Sequence, residues 1–95
     1  MTSRIPAHDL ELESIVLGAI LLDGKAMTSA LGHIGHERFY DRRHGTIFEA
    51  MTELYVQNKP IDLLTVTQVV RKKKLLDQCG GPAYIAALTN RVAST

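Results

Sequence analysis

The sequence predicts an all-α domain, a compact orthogonal or antiparallel bundle of about five to six helices. Three observations carry that expectation. Apolar residues recur at the i, i+3, i+4 and i+7 spacing of a buried helical face in successive stretches. These stretches tend to open on Asp or Pro and to close near Gly, Asn or a basic run, which are the residues that suit helix ends. No segment alternates polar and apolar residues between hairpin turns, as strands would. At 95 residues the chain has room for a single hydrophobic core.

Arg4-Ile5-Pro6 reads as extended, because proline restricts the residue before it, so residues 1–8 are expected to form an arm and 9–95 the helical domain. Asp9 stands where an N-cap belongs. In the helix that follows, Leu12, Ile15, Val16, Ala19 and Ile20 share one face, and Leu10, Leu17 and Leu21 add a second apolar stripe. Glu11 and Glu13 sit in the first turn, where the helix dipole favours acids. A helix apolar on two sides has to be covered twice, by its own core and by that core again or a partner. Asp23 is expected to cap a second, short helix reaching Ile34, with Met27, Ala30, Leu31 and Ile34 on one side and Gly32 and Gly35 weakening it. Asp41 opens the clearest helix, in which His44, Ile47, Phe48, Met51, Leu54 and Tyr55 form one stripe; it ends near Asn58 ahead of Pro60. Asp62 caps the next, with Leu63, Val66, Val69 and Val70 inward, although its β-branched content weakens helix propensity. Gly80-Gly81-Pro82 turns the chain into a last helix bearing Tyr84, Ile85, Leu88 and Val92.

Composition narrows the functional classes. With 45% hydrophobic and 22% charged residues the chain is globular in character, and with 5% aromatics and no Trp its core must rely on Leu, Ile, Val, Ala and Met. Eleven basic residues against ten acidic leave a net charge of +1, too little for bulk attraction to phosphates, so any DNA contact has to come from a local patch. The single Cys79 cannot form an internal disulfide, no secretory leader pattern opens the chain, and Ile15 to Leu22 falls short of the roughly 20 apolar residues a membrane span needs, so a cytoplasmic location without membrane contact is expected.

Candidate chemistry is sparse. His33, His36 and His44 with Asp41 could be read as metal ligands, but the glycine-broken spacing does not hold them on one face and no Cys accompanies them; no metal site is expected. Gly80-Gly81 lacks the Gly-x4-Gly-Lys-Ser/Thr run of a phosphate loop and reads as a turn. Ser14, Ser29 and Ser94 sit in no nucleophile motif, Cys79 has no activating neighbour in sequence, and Glu49 with Glu53 reads as a solvent-facing pair. No catalytic or cofactor-binding residue is expected. Arg71, Lys72, Lys73 and Lys74 suit the C-terminal end of a helix dipole, with contact to a DNA backbone as the alternative role.

Beyond these local readings, Arg4-Ile5-Pro6 followed by the run from Asp9 to Asp23 resembles the opening of the amino-terminal domain of bacterial DnaB-type replicative helicases. Phe39 to His44 with Ile47 to Met51, then Pro60 to Val66, then Gly80 to Leu88 follow in the same order at that family's spacings, so the resemblance covers nearly the whole chain. It implies a helical head above an ATPase ring that helps assemble a homo-hexamer and docks primase, with a helicase loader as a further partner. It also implies that ATP, Mg and most DNA contact belong to a RecA-like carboxy-terminal domain, and that the 95 residues stop short of both that domain and the helical hairpin that precedes it.

Among the residues matching the family, Phe39, Tyr40, His44, Ile47 and Phe48 are read as core, and Asp62 and Thr65 as helix-start residues. Glu11, on the outer side of the first helix, and Tyr84, an aromatic with a polar tip, are the expected partner contacts. Two other classes compete: a free-standing loader-type adaptor with the same fold, and a nucleic-acid-binding helical module using Arg71 to Lys74.

Overall fold

The computed structural model describes residues 7–32 and 39–93, with side chains over 10–32 and 39–91. Five α-helices and one 3-10 turn make up these residues: α1 (Ala7–Leu22), α2 (Ala26–Leu31), α3 (Arg42–Val56), α4 (Leu63–Lys72), the turn Asp77–Cys79, and α5 (Gly81–Ala93). The all-α expectation holds, and no strand occurs among the described residues.

Helix boundaries follow local chemistry most closely in the second half of the chain. Asp41 caps α3 by accepting from the Arg43 backbone N–H. At α4 the capping is reciprocal: Asp62 accepts from the Thr65 backbone N–H at 2.9 Å, and the Thr65 hydroxyl accepts from the Asp62 N–H at 2.9 Å. That pair satisfies donors the first turn would otherwise leave open, which helps a β-branched segment remain helical. α3 ends where Asn58 takes φ 59° and the Lys59 N–H returns to the Leu54 carbonyl at 2.9 Å, a left-handed termination ahead of Pro60.

The first half departs from expectation in three places. α1 runs from Ala7, so Asp9 lies within its first turn and is not the residue ahead of the helix. Of the two stripes on α1, the one through Leu17 and Leu21 is buried together with Ser14 and Ile20, whereas Leu12 is 52% exposed. The reason is α5, which covers α1 more extensively than any other element and selects the face centred on Leu17. α2 is shorter than the Asp23-to-Ile34 expectation. The Asp23 carboxylate accepts from the Lys25 N–H at 3.1 Å and so braces the turn before the helix, and Gly32 closes it. Ile34 and Gly35 lie outside the described residues, as does the side chain of Val92.

The core joins Leu17, Ile20 and Leu21 of α1 to Met27 of α2, the α3 row Ile47, Phe48, Met51 and Leu54, and Val66, Val70, Ile85 and Leu88 of α4 and α5. Tyr55, expected in the α3 stripe, is 41% exposed because it lies at the edge of that face, where its hydroxyl accepts from Thr28 at 3.4 Å.

The 3-10 turn leads into consecutive left-handed residues, Gly80 at φ 92° and Gly81 at φ 85°. A Cβ on Gly80 would stand 2.8 Å from Tyr84 Cβ and 2.9 Å from its Cγ, while one on Gly81 would meet nothing within 4 Å. Both substitutions to Ala carry the left-handed penalty of about 1 kcal/mol, but only Gly80→Ala also displaces Tyr84. Urea unfolding is therefore expected to show Gly80→Ala less stable than Gly81→Ala by a further ~1–2 kcal/mol. Equal midpoints for the two variants would contradict the close approach.

Candidate functional site

The densest polar cluster lies where α1, the entry to α3 and α5 meet. Glu13, on the inward side of α1, accepts from the Tyr40 N–H at 2.6 Å, from the Asp41 N–H at 3.3 Å and from His44 Nδ1 at 2.8 Å. A carboxylate can only accept, so Nδ1 carries a hydrogen, and in the neutral imidazole Nε2 accepts from the Tyr84 hydroxyl at 2.6 Å. His44 is 2% exposed and the Glu13 side chain 10%. Burial pushes the Tyr84 phenol above its ordinary range, with Arg43 pulling weakly the other way, so the hydroxyl keeps its proton to donate. The Ser14 hydroxyl donates to the Leu10 carbonyl one turn back on α1, at 3.2 Å.

A second layer covers this one. The Arg43 guanidinium lies 4.2 Å from the centroid of the Tyr84 ring and donates to both carboxylate oxygens of Asp41, at 3.2 and 2.8 Å. Those hydrogen bonds hold the Asp41 carboxyl below its usual range. Its contribution to stability is therefore present above the ordinary carboxylate range and is lost only as the pH falls through the depressed value. Among the described residues no buried side-chain polar atom lacks a hydrogen-bond partner.

The expected partner contacts fall in different settings. Glu11 is exposed on α1, two positions from Glu13. Tyr84 is half-buried, its hydroxyl engaged by His44 and one ring face by Arg43, so only the remaining edge can meet another molecule. Arg71, Lys72, Lys73 and Lys74 are all exposed at the end of α4, and Lys73 pairs with Glu53 at 2.8 Å, which raises its pKa. Cys79 is fully buried, and burial pushes its thiol up and keeps it protonated. His33 and His36 lie outside the described residues, and no group of three potential metal ligands occurs among the others.

Sequence reasoning placed His44 in the core stripe but missed its partner Glu13. The signal was there: Glu13 and Ser14 interrupt the Leu10, Leu17, Leu21 stripe, and an acid inside a buried stripe demands a donor from another element.

Fold and cluster together define a small helical scaffold domain, whose inward polar side chains lock three elements together while its outer faces remain available. The chain belongs to the family described as DnaB-like helicase N terminal domain, which matches residues 5–95. It is 46% identical over 91 residues to the replicative DNA helicase DnaB of Rhodothermus marinus, covering 96% of this chain and 10% of that protein. To the replicative DNA helicase DnaB of Treponema pallidum it is 39% identical over 94 residues, covering 99% of this chain and 22% of that protein. The solved N-terminal domain of DnaB helicase from Mycobacterium tuberculosis superposes with a TM-score of 0.85 at 32% identity, over 88% of this chain and 61% of that one. The chain thus spans between a tenth and a quarter of these two full-length relatives. No described helix is long and apolar enough to cross a membrane.

Proposed function

We propose that this chain acts as the amino-terminal head of a replicative DNA helicase in the cytoplasm, contributing to ring assembly and docking primase without catalysing a reaction itself. The observation that carries the reading is the family match across residues 5–95, supported by a fold that superposes on a solved DnaB N-terminal domain. In this reading ATP and Mg serve a RecA-like domain elsewhere in the helicase. The homo-hexamer, primase and a loader are its protein partners, and DNA is engaged mainly outside this domain.

Glu11 and the free edge of Tyr84 form the primase contact. Glu11→Lys is the cleaner test, because Glu11 is exposed and outside the polar cluster. With primase from the same organism, Glu11→Lys is expected to weaken binding at least tenfold while the melting temperature stays within a degree or two of the parent, since surface substitutions away from such features change stability by only about 0.5 kcal/mol. Unchanged primase affinity in both Glu11→Lys and a folded Tyr84→Ala variant would remove these residues from the contact. Binding that instead collapses with added salt and follows a single-stranded oligonucleotide would favour the nucleic-acid module.

A further inference from the structure

Away from the polar cluster, α4 and α5 leave a groove of about 420 Å³ lined by Leu63, Leu64, Thr67, Pro82 and Ala86. Leu64 is 66% exposed at its rim, so its side chain adds apolar surface beside the groove. Pro82 and Ala86 bracket Tyr84 at two positions on either side, about 200° around the helix, so the groove occupies the face of α5 opposite the one that meets His44.

The same face of α4 continues into positive charge. Arg71 lies seven positions after Leu64, within about 20° of it around the helix and about 10 Å further along the axis. Lys74 follows just beyond the helix end, turned by its left-handed backbone at φ 63°. Lys73 is directed to Glu53 on α3, but no ion pair among the described residues engages Arg71, Lys72 or Lys74. Three such charges exceed the roughly half charge that a helix dipole presents at its C-terminus, so dipole matching does not account for all of them.

We infer that the α4–α5 groove with Arg71 and Lys74 is a docking site for a short acidic peptide segment of a partner protein, anchored by apolar side chains. The groove takes the apolar anchors, Leu64 closes over them, and Arg71 and Lys74 meet carboxylates about one to two helical turns away. A phosphate backbone fits the surface less well, because it would use the cations and leave both Leu64 and the apolar groove unfilled. The near-neutral net charge of +1 also gives no long-range pull on nucleic acid. This site is separate from the proposed primase contact at Glu11 and Tyr84, and it stands or falls independently of that reading.

The test uses a fluorescein-labelled peptide of about twelve residues, enough for three helical turns, with two leucines four apart and Asp or Glu at most other positions. Binding is followed by anisotropy and mapped on the 95-residue chain by amide chemical shifts. Saturable binding is expected, with shifts concentrated at Leu63, Leu64, Thr67, Arg71 and Ala86. Leu64→Ser and the Arg71→Glu, Lys74→Glu pair are each expected to weaken it at least tenfold. All three positions are exposed, and retained helicity by circular dichroism verifies that the variants are folded. The inference is overturned if the peptide causes no shift on this face at millimolar concentration, if either variant binds as the parent does, or if a single-stranded oligonucleotide shifts the basic residues while the peptide leaves the groove unmoved.

Discussion

Glu13→Ala is expected to destabilise the domain by about 2–4 kcal/mol, because it removes an inward-facing, nearly buried carboxylate. The substitution deletes the acceptor of three donors at once: His44 Nδ1–H and the backbone N–H groups of Tyr40 and Asp41. Tyr40 is exposed and its N–H can turn to water, so the penalty concentrates on His44, which is 2% exposed, and on half-buried Asp41. A stranded His44 would in turn loosen its bond to Tyr84 and so the contact between α3 and α5. Urea unfolding would show the loss as a lower midpoint at similar cooperativity. Glu13→Gln, which keeps one carbonyl acceptor, is expected to recover a part of it, and Glu11→Ala, two residues away and exposed, to change stability by less than about 0.5 kcal/mol. If Glu13→Ala and Glu11→Ala unfold alike, the cluster contributes nothing to stability.

What could be read in advance divides by the range of the interaction. Asp41, Asp62, Pro60 and Gly80-Gly81 act within a few residues of themselves, and the helix ends they mark were legible because capping and backbone conformation are local. The core rows of α3, α4 and α5 were legible for the same kind of reason, since a single apolar stripe leaves one face to bury. α1 was different. It is apolar on two sides, periodicity cannot choose between them, and the choice of the Leu17 side belongs to α5, some sixty residues on in the chain. The Glu13–His44–Tyr84 chain was hidden for that reason too: its members are separated by 31 and 40 residues, and only the packing of three helices brings them together. The exposed surface was legible as composition but not as arrangement. Arg71 to Lys74 could be counted, whereas the groove beside them depends on how α5 lies against α4.

Phe48→Ala is expected to be the most damaging single change, at about 3–5 kcal/mol. Phe48 is fully buried, and it is the largest side chain in a core that contains no Trp. Truncation to Ala removes the apolar burial and leaves a cavity that helices held by caps and polar bonds can close only in part. A domain of this length has a total stability of about 5–14 kcal/mol, so the variant would sit near the edge of folding. The effect also spreads to the polar cluster. The Phe48 ring packs on Phe39 with centroids 5.0 Å apart, and Phe39 immediately precedes the Tyr40 and Asp41 N–H groups that Glu13 binds. The entry to α3 is thus held from one side by an aromatic pair and from the other by a carboxylate. Removing either hold leaves the other to bear the segment alone. Energies at Phe48 and Glu13 are therefore expected not to add, and a double-mutant cycle with the milder pair Phe48→Leu and Glu13→Gln should show a coupling of about 0.5 kcal/mol or more. Strict additivity would mean that core and cluster stabilise the fold separately, and that the 39–44 segment is not the joint between them.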